Sequence, residues 1–327
     1  MKGPKWVGND PKGGVKDQEM TQCPVTAGGG GRAGTAPGGE GLAAAQEGAA
    51  ESQSLTTASQ CFPVPPRLLY PFGPGAGDET TPVEDDGMSP EQLLQGRFSF
   101  YGRAQTSLYV NNNGVVSFGR GVPEYTPKPF PLAERIPFVA PFWADVDLRR
   151  GGKVFYRQSR ERPLLARLRR DLAAAAPPQG PAPSPTWAFL ATWHQVSFFG
   201  AASNKTNTFQ AVLASDELSS YVMLNYGSLQ WTTGIADGGN PHSGTGGLPA
   251  QAGFNSGDDL HYYNLPGSRT PAVLSIARRS NVATPGRWIF RVDEFTATEP
   301  PPTPAPSTAV PTAPPPATTE KVYVCNW

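Results

Sequence analysis

The chain has 327 residues, including 37 glycines and 37 prolines, and its hydrophobic fraction is 38%. Lysine plus arginine and aspartate plus glutamate both number 27, so the formal net charge is zero. This balance argues against a nucleic-acid partner, because phosphate contacts need a surplus of cationic side chains. No apolar run approaches the ~18 residues of a membrane-spanning helix, so we expect no membrane span. The first residues also lack the apolar stretch of a secretory signal.

The first 64 residues are predicted to form a disordered leader. They contain only two aromatic side chains, Trp6 and Phe62, and residues 27–50 are mostly glycine and alanine. Such a segment buries too little apolar area to offset the entropy lost on ordering. An alanine-rich helix around residues 42–46 is the competing interpretation, and it is too short to be stable alone.

The stretch 65–296 holds 29 of the 33 aromatic side chains, so we expect one folded domain there. Asn111-Asn112-Asn113-Gly114 separates two short apolar runs, and its Asn-Gly pair favours positive φ angles and a tight hairpin. Aromatic and β-branched runs predict strands at 98–101, 108–110, 115–118, 187–199, 208–213, 221–226 and 286–293.

These predicted strands differ in their alternation. In the last one, Trp288 and Phe290 share one face while Arg287 and Arg291 take the other, which is typical of a sheet that packs on one side only. The three runs before it are apolar on both faces, which is typical of inner strands. Asp216-Glu217 separates two of them and favours a hairpin. The predicted fold class is mainly β, with antiparallel sheets in a sandwich.

One amphipathic helix is predicted over residues 161–176, ending at a proline-rich stretch (177–185) that we expect to be an exposed loop. Pro163 suits its first turn. Its arginines are interpreted as a solvated helix face, with an anionic ligand such as a sulfated glycan as the alternative. They are Arg162, Arg167, Arg169 and Arg170.

The chain offers little for catalysis. His194 lies in an apolar strand, His242 in a glycine-rich loop without a phosphate-loop lysine, and His261 before a tyrosine pair. No HExxH, GxSxG or CxxC pattern is present in the sequence. We therefore expect no catalytic residues and no cofactor.

Clustered carboxylates are the weak candidates for a metal site, since extracellular modules often bind calcium in this way. Asp145 and Asp147 form one pair, residues 84–87 (EDDG) a second group and Asp258-Asp259 a third. None has the ligand spacing of an EF-hand loop. Turn-forming and strand-end carboxylates are the default interpretation, and we expect no essential metal.

Two features depend on the compartment. Asn204-Lys205-Thr206 is the single N-glycosylation sequon, and its polar loop would make it accessible to glycosylation if the protein is secreted. Cys23, Cys61 and Cys325 all lie outside the aromatic region. In an oxidising compartment Cys325 would pair most naturally with a downstream module; in the cytosol all three would be reduced.

Residues 65–296 resemble the NIDO domain family of nidogens and alpha-tectorin, and the likeness looks closest to the alpha-tectorin type. Ten blocks in the same order carry it over roughly 230 residues. They are LLYPFGPGAGDETTPVEDDG (68–87), LYVNNNGVVSFG (108–119), PFVAPFWADVD (137–147), GKVFYR (152–157), TWHQVSFFG (192–200), NTFQAVLASD (207–216), WTTGIADGG (231–239), AQAGFNSGDD (250–259), LPGSRT (265–270) and PGRWIFRVD (285–293).

The resemblance implies a non-enzymatic extracellular module that supports cell–matrix adhesion or matrix assembly, with matrix proteins or glycans as partners. The alternative is a carbohydrate-active or metal-dependent enzyme on a β-sandwich, because such folds carry both kinds of function. An extracellular location conflicts with the first residues of the chain. We expect an incomplete gene model, in which the native N-terminus carries a signal sequence.

The segment 297–327 is predicted to be a proline- and threonine-rich linker, followed by the first residues of a further module. Its alternating proline and hydroxyl residues favour an extended backbone that is either O-glycosylated or an unmodified spacer. The last six residues are apolar and contain Cys325, which is unusual for a disordered tail.

Overall fold

The computed structural model describes residues 68–132, 134–175, 182–216 and 218–294. The predicted leader (1–64) and linker (297–327) lie outside them, so the boundaries at 65 and 296 stay a prediction. Twelve strands and one α-helix make up the described part. They are β1 Glu79–Thr80, β2 Gln92–Phe100, β3 Arg103–Asn111, β4 Val115–Phe118, β5 Phe138–Trp143, β6 Lys153–Ser159, α1 Arg162–Leu172, β7 Trp187–Val196, β8 Asn207–Ser215, β9 Ser220–Ser228, β10 Gln251–Asn255, β11 Tyr262–Asn264 and β12 Arg287–Arg291.

The strands form two antiparallel sheets of six, which confirms the predicted fold class. The first sheet has the order β1-β6-β7-β8-β9-β12 and the second has the order β11-β10-β5-β4-β3-β2. Aromatic side chains from both sheets meet in one core. The ring centroids of Phe142 and Phe209 lie 5.6 Å apart, and those of Phe254 and Phe290 lie 4.9 Å apart. No described helix is both long and apolar enough to cross a membrane.

Helix α1 covers the outer face of the first sheet, which explains why the inner strands are apolar on both faces. Leu164, Leu168 and Leu172 are buried in a second core together with Leu190 of β7 and Ile289 of β12. The predicted helix is confirmed, although its α-helical part ends at Leu172 and continues as a short 3₁₀ turn.

The same helix corrects two predictions about arginines. The alternation of β12 is confirmed, but its second face is covered: Arg287 is only 6% exposed. Its Nη1 lies 3.1 Å from the Asp171 carboxylate of α1. On α1 itself, Arg167 is only partly exposed, and its guanidinium stacks on the Tyr70 ring at 3.9 Å. Arg162, Arg169 and Arg170 are exposed as expected.

Part of the proline-rich loop at 177–185 lies outside the described residues. Where it is described, Pro183 and Pro185 are buried, so the prediction of an exposed loop is wrong for these two residues. The chain already follows the sheet there, because the Thr186 N–H donates to the Ser215 carbonyl at 2.9 Å.

The β3–β4 hairpin is confirmed, but its turn differs from the predicted one. Asn111 pairs with Val115, which leaves a three-residue loop in which only Gly114 has a positive φ, at 80°. This is the geometry of a three-residue loop with glycine in the left-handed position. Another hairpin was missed: Tyr101 is not a strand residue but forms a two-residue turn with Gly102, both at positive φ.

Pro141 lies in the central strand β5, and a proline inside a sheet needs a bulge because it has no N–H to donate. The pairing of β5 with β10 shifts register between Gln251 and Gly253, opposite Pro141. The regular hydrogen bonds between β5 and β10 are already interrupted at this point, so the missing N–H of Pro141 does not remove one of them.

We predict that Gly114→Ala destabilises the domain more than Gly119→Ala. Both glycines have φ near 75–80° (80° and 74°), so each alanine costs about 1–2 kcal/mol of backbone strain. A Cβ on Gly114 would also lie 1.9 Å from the Phe142 carbonyl oxygen, whereas a Cβ on Gly119 meets nothing within 4 Å. Overpacking should add about 1–3 kcal/mol at Gly114 alone. Urea unfolding of both variants measures the difference, and equal losses would contradict the role of close approach.

Candidate functional site

The β3–β4 turn holds the segment that carries one of the predicted acidic groups. Asn112 Nδ2 donates to the carbonyls of Pro82 and Glu84 at 3.2 and 3.1 Å, and its Oδ1 accepts from the Thr81 hydroxyl at 2.6 Å. The backbone N–H of Asn112 donates to the Gly87 carbonyl at 2.8 Å. Residues 81–87, here called the acidic segment, are therefore fixed on the turn.

Asn113 joins the acidic segment to the residues that follow β5. Its Nδ2 donates to Asp86 Oδ1 at 2.8 Å, and its Oδ1 accepts from the Val146 N–H at 2.8 Å. Its backbone carbonyl accepts from the Ala144 N–H at 3.2 Å. One asparagine thus bonds to both neighbours of Asp145 and to the acidic segment.

Asp145 lies at this junction and is only 3% exposed. Its backbone carbonyl accepts from the Phe199 N–H at 3.0 Å, which fixes the residue without involving its carboxylate. The buried Oδ2 has no hydrogen-bond partner among the described residues. Gly234 packs so close that a Cβ there would lie 2.4 Å from this oxygen.

Asp85 approaches from the acidic segment and is partly neutralised by Arg149. The Arg149 Nη2 group donates to Asp85 Oδ2 at 2.6 Å. The other oxygen, Oδ1, is buried and has no described partner. Burial and the charge of Asp147 raise the pKa of Asp85, and Arg149 opposes this increase.

Asp85, Asp86 and Asp145 form what we call the acidic cluster. One carboxylate oxygen from each lies within 4.8 Å of the others. Burial, together with the charges of Asp85, Asp237, Asp86 and Asp147, raises the pKa of Asp145 to about 7. The arrangement can bind a hard cation or retain a proton.

Asp147, the predicted partner of Asp145, has a different role. Its side chain accepts from the backbone N–H of Arg149 at 3.0 Å and from the Arg149 Nε at 2.8 Å. It caps the 3₁₀ helix Leu148–Arg150 and is 2% exposed. The structure therefore places Asp145 with Asp85 and Asp86, and it pairs Asp147 with Arg149.

The third predicted acidic pair shapes a turn. Asp258 accepts from the N–H groups of Leu260 and His261 at 2.9 and 2.7 Å, and its other oxygen lies 2.5 Å from the His261 ring. Asp259 forms an ion pair with Arg135 at 2.7 Å. These contacts are those of turn-forming carboxylates, as the default interpretation held.

The histidines do not form a catalytic arrangement. His194 lies in β7 beside Phe72, with ring centroids 5.0 Å apart. His242 is exposed in a loop, and His261 is bonded to Asp258. Each is held by a different element of the fold.

Asn204 lies exposed in the loop between β7 and β8, where a glycan could be accommodated, and its glycosylation stays a prediction. Cys23, Cys61 and Cys325 lie outside the described residues, so the disulfide expected for Cys325 also stays a prediction. Sequence reasoning missed Asn113 and Gly234 as parts of the site. The Asn-Asn-Asn-Gly run was the available signal, and it predicted only a turn.

Comparison with known proteins agrees with the ten sequence blocks. The profile of the nidogen-like domain matches residues 106–294. The chain belongs to the nidogen-like domain family. Its resemblance to nidogens and alpha-tectorin is thus confirmed. No solved structure matches the chain.

Three relatives illustrate the range of similarity. Human alpha-tectorin is 45% identical over 230 residues, which cover 70% of this chain and 10% of that protein. Mouse nidogen-2 is 35% identical over 246 residues, covering 69% and 17%, respectively. Dendrite extension defective protein 1 of Caenorhabditis elegans is 30% identical over 230 residues, covering 69% and 18%. The matched region spans less than a fifth of each relative.

Alpha-tectorin and the nidogens are extracellular matrix proteins. The family match over residues 106–294 includes Asp145 but not the acidic segment (81–87). The similarity therefore identifies the kind of domain, and the role of the acidic cluster depends on its geometry.

We predict that His194→Gln flattens the acid side of the stability profile. Burial lowers the pKa of His194, so the unfolded chain binds this proton more readily than the folded protein. The contribution of neutral His194 to the free energy of unfolding is complete above the pKa of the unfolded chain, about 6.5. It is lost as the pH falls toward the lower pKa of the folded protein. Urea unfolding between pH 7.5 and 5 should show a smaller decline for the variant. Groups that titrate in both proteins cancel in the difference, and parallel profiles would contradict the prediction.

Proposed function

We propose that the chain is a non-enzymatic interaction module of the extracellular matrix, supporting cell–matrix adhesion or matrix assembly. The observation that carries this proposal is the 45% identity to alpha-tectorin across 230 residues. Membership of the nidogen-like family adds support, because nidogens are matrix proteins as well. The proposal concerns this domain, since it covers only a tenth of the length of alpha-tectorin.

The interior of the sandwich supports a surface function. The large rings that face each other across the sheets are almost fully buried, so a partner cannot contact them in the folded protein. Contacts with a partner would therefore involve exposed loops and strand edges.

The described clefts give the enzyme alternative little support. A cleft of about 620 Å³ lies between α1 and residues 70–77, and its lining contains one carboxylate, Glu161. A cleft of about 280 Å³ contains two, Glu124 and Glu134, but Lys128 forms ion pairs with both. Hydrolysis of a glycoside ordinarily uses two carboxylates on opposite sides of the scissile bond. The acidic cluster supplies several, but Arg149 already engages one of them.

We propose an extracellular location and partners that are matrix proteins or glycans. The exposed sequon at Asn204 is compatible with secretion. The exposed arginines of α1 give a surface on which an anionic glycan could bind, although Arg167 is already occupied by Tyr70.

We predict saturable retention of the folded chain on cell-derived matrix. The purified full chain is applied to decellularised matrix and washed at physiological salt, with an unrelated β-sandwich of similar size as the control. Pretreating the matrix with protease or with heparinase separates protein partners from glycan partners. A panel of matrix glycans incubated with the same protein should show no turnover.

Retention no greater than that of the control sandwich would contradict the module. Turnover of a glycan that is lost in Glu161→Gln or Asp145→Asn would instead establish the enzyme. The two results are independent, so each hypothesis has its own test.

We predict one N-linked glycan at Asn204 when the chain is directed into the secretory pathway. Asn204→Gln and Thr206→Ala should both abolish an endoglycosidase-sensitive mass shift, because each destroys the sequon. Thr206→Ser is the matched control: it keeps the sequon, and the contact from the residue-206 backbone N–H to Gln230, at 3.1 Å, is unaffected. A secreted chain whose mass does not respond to the endoglycosidase would contradict the prediction.

A further inference from the structure

We propose that the acidic cluster of Asp85, Asp86 and Asp145 is a calcium site that joins the acidic segment to the end of β5. This inference goes beyond the matrix role, and it can be true or false independently of it. Acidic residues alone would not establish a cation site, because exposed carboxylates are common. The inference depends on the burial of Asp145 and on the missing hydrogen-bond partner of its Oδ2 atom.

The Asp145 side chain is buried, and its Oδ2 atom has no donor among the described residues. The residue is 3% exposed, and none of the described side chains or backbone N–H groups donates to its buried Oδ2. Buried polar groups are nearly always hydrogen-bonded, and a buried charge needs a partner of opposite charge. The nearby donors are already engaged: Arg149 contacts Asp85 and Asp147, and Asn113 contacts Asp86.

Asp85, on the other side of the cluster, also has a buried carboxylate oxygen without a hydrogen-bond partner among the described residues. Arg149 neutralises Oδ2 of this carboxylate, while Oδ1 is buried without a described partner. Two unpartnered carboxylate oxygens thus come from segments that are 60 positions apart in the sequence. A bound cation would satisfy both.

The spacing of the oxygens suits calcium. Ligands at about 2.3–2.6 Å from a calcium ion lie at most about 4.6–5.2 Å apart, and the three cluster oxygens lie within 4.8 Å of one another. The three carboxylates have six oxygens, of which Arg149 already engages one on Asp85 and Asn113 one on Asp86. The absence of sulfur and nitrogen ligands from these three side chains favours a hard cation over zinc.

Coordination geometry favours calcium over magnesium. Magnesium requires nearly ideal octahedral geometry and retains several waters, whereas calcium accepts irregular sets with bidentate carboxylates. Gly234 also packs directly beside Asp145 Oδ2, where any side chain would occupy the space next to this oxygen. Extracellular modules bind calcium with dissociation constants of about 10⁻⁴–10⁻³ M, in the range of extracellular calcium.

The test measures the melting temperature of the full chain at pH 7.5 in EDTA and after dialysis into 2 mM calcium chloride. Calcium should raise the melting temperature by about 2–6 °C, the range expected for this affinity and domain size. Titration calorimetry with calcium chloride gives the dissociation constant directly. This measurement also tests the expectation of no essential metal.

Asp145→Asn should abolish the calcium response and melt no lower than the wild type in EDTA, because it removes a buried charge that lacks a donor. Asp86→Asn is a second, exposed variant. Its Oδ1 can still accept from Asn113, so it should stay folded and bind calcium about tenfold more weakly. Asp259→Asn is the matched control outside the cluster, and it should respond like the wild type.

Three results would overturn the proposal: no shift with up to 10 mM calcium, an undiminished shift in Asp145→Asn, or an equal shift with 2 mM magnesium chloride. Matrix retention is measured in a separate assay. Loss of one result therefore does not imply loss of the other.

Discussion

The structure around the β3–β4 turn depends on one constraint: the buried asparagine side chains of this turn need hydrogen-bond partners inside the protein. Three consecutive asparagine side chains are at most 1% exposed, so every amide must find partners inside the protein. Asn111 bonds within its own hairpin, Asn112 holds the acidic segment and Asn113 bonds to residues on both sides of Asp145. Trp193 of the other sheet donates to the carbonyls of Asn111 and Asn112 at 3.1 and 3.0 Å. Both sheets are thereby joined at one turn.

This network places like charges together, which hydrophobic packing alone would not do. Asp85, Asp86 and Asp145 are close because amide hydrogen bonds position their backbones, and their mutual repulsion is only partly offset by Arg149. Charge repulsion of this kind is tolerated where the surrounding bonds determine the geometry. A cation at the cluster would convert the repulsion into a cross-link between two segments distant in sequence.

The aromatic core and the polar network at one end of the domain have different roles. The core provides stability without a disulfide in residues 65–296, which contain no cysteine. Helix α1 covers the outer face of the first sheet, so partners would contact the exposed side of the helix, the loops or the strand edges. Such a scaffold is consistent with the matrix role proposed for the domain, and a cation would stiffen one of its loops.

Periodicity and turn chemistry determined most of the fold from the sequence itself: the apolar strands around Trp193 and Leu213, the Leu164–Leu168–Leu172 stripe and the Asn-Gly hairpin are local patterns. Tertiary structure decided which residues from distant parts of the sequence are in contact, because local patterns hold no information on this. Arg287 is buried because helix α1, far away in the sequence, covers its face of β12. Asp145 lies beside Asp85 and Asp86 because Asn113 bonds both to the acidic segment and to the neighbours of Asp145. Sequence spacing reports neighbours along the chain, whereas these contacts connect residues 116 and 60 positions apart. Only packing and long-range hydrogen bonds select them.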